Sequence, residues 1–268
     1  MLNFNHLQAV VTDMDGVLLR GPDPLPGLAE LFDFLHRRRL PFIIATNNST
    51  QTPAYYQQKL TRAGAVGIQE ENILTSAQVT AAYLRQNFER GAAVYVIGQP
   101  SLTAAVQAGG FAILTDARRP AAVVVVGGDS GLTYAKLKDA TLHLQRGASL
   151  IGTNPDLLYP TEEGLVPEAG TILAALQAAT GVTPLIMGKP ERFLFEQALA
   201  RLSSLPAQTV MLGDRLDTDI LGGQRAGLKT VLLTTGVDDE AAIAAKGIRP
   251  NAVFGGLIGL VEAWSRAR

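Results

Sequence analysis

The chain has 268 residues, 47% of them apolar and 18% charged, and a formal net charge of −1. That length can form one large domain or two modest ones, each with a real core, and the balance is that of an ordinary soluble globular protein. The absence of cysteine excludes disulfides, thiol catalysis and thiolate metal sites. With no long basic tract, the electrostatic footprint of a general nucleic-acid binder is missing.

The opening residues MLNFNHLQAVV carry no basic region followed by an apolar core and a small-residue cleavage site. No stretch approaches the roughly 20 uninterrupted apolar residues that span a bilayer. A cytoplasmic location without membrane attachment is the expectation.

In chain order, short Val-, Ile- and Leu-rich runs alternate with longer helical patterns, the signature of a parallel sheet covered by helices. The first strand is expected over Gln8–Thr12, followed by a helix with Leu28, Leu31, Phe32 and Leu35 at helical spacing. Further strands are expected over Pro41–Thr46, Ala93–Ile97, Ala121–Val126, Ser149–Gly152, Thr209–Leu212 and Lys229–Leu233. Phe193, Phe195, Leu199 and Leu202 mark a late helix, and Gly64, Gly109, Gly147, Gly181 and Gly227 read as helix stops. A first unit runs to about Gln78 and a last from about Pro184. The stretch between has its own strand–helix alternation, so the division expected is a core over 1–78 and 182–268 with an insert over 79–181.

Three strands end in polar clusters, and in an open parallel sheet the carboxyl ends of strands form the binding crevice. In Thr12-Asp13-Met14-Asp15-Gly16 the two-residue period puts both carboxylates on the same side of the chain. One can attack phosphorus while the other handles the leaving-group proton, and Gly16 lets the chain turn away. The plain alternative is an Asx turn closing a buried strand.

In Thr46-Asn47-Asn48-Ser49 a hydroxyl and successive backbone N–H groups make an anion-binding concavity. The alternative is an N-cap from Ser49, Thr50 or Thr52 for a helix beginning near Pro53. Lys189, between Gly188 and the helix-starting Pro190, is held close to the backbone and suits a fixed positive charge facing a phosphate, although a lone lysine is more often solvated surface. Last comes Gly213-Asp214-Arg215-Leu216-Asp217-Thr218-Asp219-Ile220. Asp214 at the strand end is placed to ligate Mg²⁺, which prefers carboxylates and water. Asp219 can reach back to orient Lys189 or a metal-bound water. The alternative is acidic capping of a helix N-terminus, and Asp217 fits that reading.

Taken together and in this order, the four clusters resemble the motifs of the haloacid dehalogenase-like hydrolase superfamily. Thr46–Ser49, Gly188-Lys189-Pro190, Gly213–Ile220 and Thr153-Asn154-Pro155-Asp156 are similar to its NagD-type and para-nitrophenyl-phosphatase-like subfamily. The similarity covers essentially the whole chain. It departs at Pro167-Glu168-Ala169-Gly170, where the family usually has Gly in place of Glu168. The resemblance implies an α/β fold: a Rossmann-like, doubly wound parallel-sheet core with an inserted α/β cap.

It also implies roles. Asp13 is then the nucleophile, forming an aspartyl-phosphate, and Asp15 protonates the leaving oxygen and later activates water. Mg²⁺ is held by Asp13, the backbone carbonyl of Asp15 and Asp214. Thr46 and Asn47, with Asn48 beside them, bind phosphoryl oxygens, Lys189 balances charge, and Asp219 supports metal or lysine from behind. An acid at position 15 fits phosphatases and phosphomutases, not dehalogenases or transport ATPases. The substrate expected is a small phosphorylated metabolite, with a cap-mediated homodimer left open. Two rivals stand: a phosphomutase, and a non-catalytic protein that binds phosphorylated ligands.

Other signals are set aside. Val125–Gly131 lacks the Gly-x-Gly-x-x-Gly spacing and reads as a glycine turn after a strand. His6, His36 and His143 pair with no Ser and Asp in a triad pattern. Tyr134 and Lys136 fall at a helix start in the insert, where solvated surface and substrate contact both fit. Trp264 is expected to pack the last helix against the core.

Overall fold

The structure, a computed structural model, describes residues 2–161 and 163–267. The chain divides into two compact units, one of Met1–Thr46, Pro53–Leu74 and Lys189–Arg268, the other of Asn47–Thr52 and Thr75–Gly188.

The first unit is built on a six-stranded sheet ordered Ala252–Phe254, Lys229–Leu233, Thr209–Gly213, Ala9–Thr12, Phe42–Thr46, Ile73–Thr75. Every residue of Ala9–Thr12, Phe42–Thr46 and Thr209–Gly213 is buried, as expected where helices cover both faces of a parallel sheet. Thr12 pairs with Leu212 on one side and Ile44 on the other, both in parallel register. The chain starts in the middle strand, fills one flank first and then the other, so the two strand ends at Thr12 and Gly213 flank a topological switch point. The core includes Val10, Met14, Phe32, Leu35, Ile44, Leu212 and Trp264. Trp264 lies on the helix Leu257–Arg266 with its ring centroid 5.4 Å from that of Phe34 and 5.2 Å from that of Phe4.

The second unit carries a five-stranded parallel sheet ordered Leu185–Ile186, Ser149–Gly152, Val123–Val126, Ala93–Ile97, Ala112–Leu114. Its own core holds Ile97, Val124, Val126, Leu144, Leu150 and Leu173. A short antiparallel ribbon pairs Leu158–Thr161 with Gly164–Pro167.

The unit edges differ from the 78 and 182 expected. The helix Ser76–Asn87 is a single rigid element starting from a Thr75 N-cap with a reciprocal capping box, so the division falls before it, at Leu74. At the far edge Leu185–Ile186 hydrogen-bonds to Ser149–Gly152 and carries the second unit on to Gly188. The stretch Asn47–Thr52 also groups with the second unit, held there by Ser76 Oγ to Asn47 O at 2.6 Å and Ser101 Oγ to Ser49 O at 2.7 Å. No helix among the described residues is long and apolar enough to cross a membrane.

Candidate active site

Asp13 leaves the end of the Ala9–Thr12 strand with its N–H bonded to Leu212 O at 2.8 Å. Its Oδ1 accepts from Lys189 Nζ at 2.6 Å. The same ammonium donates to Ala45 O at 3.1 Å and pairs with Asp219 Oδ1 at 2.7 Å. Lys189 is 2% exposed, so the reading of a solvated surface lysine is excluded. Burial opposes its charge, but Asp13 and Asp219 outweigh that and hold its pKa above the usual lysine range.

Asp214 leaves the neighbouring strand end and is fixed by two backbone contacts, Val237 N–H to its Oδ2 at 2.8 Å and Asp238 N–H to its carbonyl at 3.0 Å. Asp219 turns back from the five-residue π-helical turn Leu216–Ile220, a geometry common at functional sites. Its Oδ2 accepts from the N–H of Asp214 at 3.2 Å and of Arg215 at 3.1 Å. Close approach by the backbone is essential here: Gly16 has φ +83°, and a Cβ built on it would stand 2.3 Å from Asp214 Oδ2.

Three buried carboxylates thus meet one buried ammonium. Burial, together with Asp219 and Asp214, holds Asp13 well above the usual carboxylate range in spite of Lys189. Burial and Asp219 push Asp214 up to about 7. Asp13, Asp214 and Asp219 each present an oxygen within 4.8 Å of the others. Asp214 Oδ1 is buried with no hydrogen-bond partner among the described residues. An orphaned carboxylate oxygen in an all-oxygen cluster with excess negative charge fits a hard divalent cation. Both Asp219 oxygens already lie near donors, Oδ1 at 2.7 Å from Lys189 Nζ and Oδ2 at the N–H groups of Asp214 and Arg215.

Asp15 is more open than Asp13. Burial raises its pKa, with Lys59 and Lys189 pulling the other way. Thr46 closes its strand and is 2% exposed. In the second unit, Asn47 Nδ2 donates to Asp156 Oδ2 at 3.1 Å, and Asn47 O accepts from Asn154 Nδ2 at 3.0 Å. Asn48 Oδ1 accepts from Thr50 N and Oγ1 at 2.8 and 2.7 Å, an Asx turn that shapes the loop. Asp217 lies at the surface, 3.4 Å from Arg215 Nε and 3.5 Å from Lys246 Nζ. Tyr134 is 83% exposed, and Lys136 pairs with Asp129 at 2.6 Å.

One part of the site was missed from sequence. Gly236-Val237-Asp238 follows the Lys229–Leu233 strand and forms a fourth strand-end cluster behind Asp214. Asp238 Oδ2 accepts from Leu216 N at 2.7 Å and from Lys246 Nζ at 2.9 Å, pinning the start of the π turn. A Cβ on Gly236 would fall 1.9 Å from Asp214 Oδ2. The polar cluster at that strand end was visible, but its role depends on tertiary contact with Asp214.

Residues 10–112 match the haloacid dehalogenase-like hydrolase family, and residues 186–260 match a HAD-hydrolase-like family. An acid sugar phosphatase of Staphylococcus epidermidis is 36% identical over 249 residues, covering 93% of this chain and 95% of that one. A 4-nitrophenylphosphatase from Thermotoga maritima superposes with a TM-score of 0.91 at 31% identity, covering 98% of this chain and 100% of that one. NagD from E. coli K-12 gives a TM-score of 0.86 at 31% identity over 94% and 97%. The chain belongs to the haloacid dehalogenase-like hydrolase family. Its place there is with the NagD-like phosphatases, and it is a phosphoric monoester hydrolase.

Proposed function

We propose that the protein is a cytoplasmic Mg²⁺-dependent phosphatase that hydrolyses small phosphorylated metabolites through an aspartyl-phosphate on Asp13. The observation that carries this reading is the buried set Asp13–Lys189–Asp219 beside Asp214, whose Oδ1 stands unpartnered. Asp13, the carbonyl oxygen of Asp15 and Asp214 would hold the cation. When bound, Mg²⁺ supplies positive charge that draws the phosphate dianion toward three carboxylates and stabilises charge on its oxygens.

The chain's own residues do the rest. Asp13 attacks phosphorus, and the bond from phosphorus to the ester oxygen breaks. Asp15 gives that oxygen a proton as it leaves; its raised pKa favours the protonated acid needed at this moment. The resulting Asp15 carboxylate then takes a proton from water, which attacks the aspartyl-phosphate and releases inorganic phosphate. Splitting the displacement in two avoids one difficult step. Lys189, locked between Asp13 and Asp219, keeps the nucleophile oriented and offsets its charge. The Thr46 hydroxyl and the Asn47 N–H bind phosphoryl oxygens, with Asn48 beside them.

The test is phosphate release from a panel of sugar phosphates, nucleoside monophosphates and para-nitrophenyl phosphate, with Mg²⁺ and again with chelator. Release that depends on Mg²⁺, with trapped phosphate on Asp13, is expected. Phosphoryl transfer between substrates without free phosphate overturns the hydrolase mechanism, and full activity in chelator overturns the metal assignment.

A further inference from the structure

To act as an acid, Asp15 must hold its carboxyl at the leaving oxygen. Among the described residues that carboxyl has no hydrogen-bond partner of its own. Its direction is therefore set by the backbone beneath it.

The turn after Asp15 is held at two successive peptide groups. Gly16 N–H donates to Leu19 O at 2.7 Å, and Gly16 O accepts from the Thr235 hydroxyl at 2.7 Å. Because each peptide group is planar, these bonds fix the planes on both sides of Gly16. Gly16, with φ +83°, is the residue that makes the turn. The bond to Leu19 is local, within the ribbon that pairs Leu19–Arg20 with Asp23–Pro24. The bond from Thr235 comes from 219 residues further along the chain, past the end of the Lys229–Leu233 strand.

Thr235 is itself fixed on three sides. Thr234 N–H donates to Phe254 O at 3.1 Å, and Thr235 O accepts from the Arg20 guanidinium at 2.5 Å. A Cβ on Gly256 would stand 3.3 Å from the Thr235 methyl. A β-branched side chain has few rotamers to choose from, so packing the methyl there aims the hydroxyl at Gly16. The rest of the same loop serves another residue: Val237 N–H and Asp238 N–H both bond to Asp214. One loop thus grips the Asp15 turn through Thr235 and Asp214 through Val237 and Asp238.

We propose that Thr235 is a positioning residue for Asp15: its hydroxyl fixes the Gly16 peptide group and so keeps the Asp15 carboxyl where it can protonate the leaving oxygen. This rests on the general-acid role proposed above for Asp15. A misplacement of about 1 Å at a reacting group can cost on the order of 10²-fold in rate, so one peptide group set loose beneath an acid is enough to matter.

The experiment compares kcat/KM for phenyl phosphate and para-nitrophenyl phosphate in the wild type, Asp15→Asn, Thr235→Val, Thr235→Ser and Asp238→Ala. Both esters carry an aromatic ring, but the phenyl oxygen needs a proton to depart far more than the para-nitrophenyl oxygen does. Thr235→Val keeps the shape and removes the hydroxyl, whereas Thr235→Ser keeps the hydroxyl. In Thr235→Val the phenyl to para-nitrophenyl ratio should fall about fivefold, part of the roughly 10²–10⁴ that a general acid supplies. Thr235→Ser should restore the wild-type ratio. Asp238→Ala, which loosens the Asp214 side of the same loop, should leave the ratio unchanged.

An unchanged ratio in Thr235→Val, with both esters slowed alike, assigns Thr235 a structural role and overturns the inference. So does an equal fall in Thr235→Ser or in Asp238→Ala, which would trace the effect to packing or to the loop as a whole. Should Thr235→Val fail to fold, the ratio in Thr235→Ala against Thr235→Ser decides. Asp15→Asn separates the two levels of failure. If it leaves the ratio unchanged, the general-acid reading fails and this inference with it. If it lowers the ratio while Thr235→Val does not, the inference alone fails.

Discussion

The first unit's sheet ends in charge and the second's ends largely in neutral polar groups, although both are parallel sheets with helices packed on them. At Asp13, Asp214, Asp219 and Lys189 the first unit buries three acids and a base. At the second sheet's ends Ser49, Thr153 and Asn154 bond to one another or to backbone, beside the buried carboxylates of Glu168 and Asp129. Burying a charge is expensive unless it is paired, so the first cluster carries a cost that the proposed phosphoryl chemistry explains. Architecture alone does not separate the two; the strand-end side chains do.

The largest effect expected from breaking this contrast is in the nucleophile. Asp13→Asn keeps the shape and still offers Lys189 an acceptor, but an amide attacks phosphorus poorly and ligates metal poorly. Turnover should drop at least about 10³-fold, or roughly 4 kcal/mol of barrier, with the circular dichroism spectrum unchanged. Retention of more than about a tenth of wild-type kcat would remove Asp13 from this role.

Lys189→Met comes next, read as stability. It strands Asp13 and Asp219 without their common partner, a change that costs about 3–5 kcal/mol for buried pairs. Lys138→Met in the second unit cuts the more open pair with Asp139, whose side chains are 53% and 15% exposed, and surface pairs contribute at most about 1 kcal/mol. Urea unfolding of both variants measures the difference, and equal losses would contradict the contrast.

Asp15→Asn separates the two acids of the first cluster. The phosphorylation burst should slow by about 10²-fold for alkyl phosphates, the usual range for lost general acid help, and much less for para-nitrophenyl phosphate, whose leaving group departs without a proton. Rapid-quench burst measurements decide it; equal slowing of both bursts contradicts the leaving-group role.

Asp13 and Asp214 were legible in the sequence because each stood at the end of an apolar run, where period and burial can be read locally. Lys189 was legible as a candidate, but its near-complete burial was not, because Ala45 and Asp219 reach it only through the fold. The short edge strands Ile73–Thr75, Ala112–Leu114, Leu185–Ile186 and Ala252–Phe254 were not expected, since two or three residues show no period and edge pairing defines them, and neither were the ribbon strands Leu19–Arg20, Asp23–Pro24, Leu158–Thr161 and Gly164–Pro167. Gly64 and Gly181 did mark helix ends in the left-handed conformation, at φ +96° and +74°. Arg39 and Ser203 end helices the same way without glycine, at φ +53° and +50°, and nothing in their residue type announces it. The grouping of Asn47–Thr52 with the second unit likewise depends on Ser76 and Ser101, which follow it in the chain by dozens of residues.

The smallest expected effect is a pH response of opposite sign in the two units. In metal-free protein Asp214 titrates near 7 when folded and has an ordinary value of 3.8. Its ionisation therefore costs stability in full above about pH 7, and that cost is gone below 3.8, so acidification from pH 8 to 5 should strengthen the first unit. His143 behaves the other way. It is completely buried, its Nδ1 accepts from Ala121 N–H at 3.1 Å, and burial pushes its pKa below the ordinary 6.5. The neutral ring's contribution is whole above 6.5 and is lost as pH falls toward the depressed folded value. Each group changes stability by at most about 1.4 kcal/mol per pH unit within its window. The chain's one tryptophan, Trp264, lies in the first unit, so its fluorescence follows that unit alone, while far-ultraviolet circular dichroism follows both. In chelator, between pH 7 and 5, the fluorescence midpoint in urea should hold or rise and the remaining dichroism transition should fall. Excess Mg²⁺ should abolish the first trend, because the cation holds Asp214 ionised, and His143→Gln should flatten the second. Parallel shifts in both probes, or an unchanged slope in His143→Gln, would show that the two clusters do not set the pH response of their units.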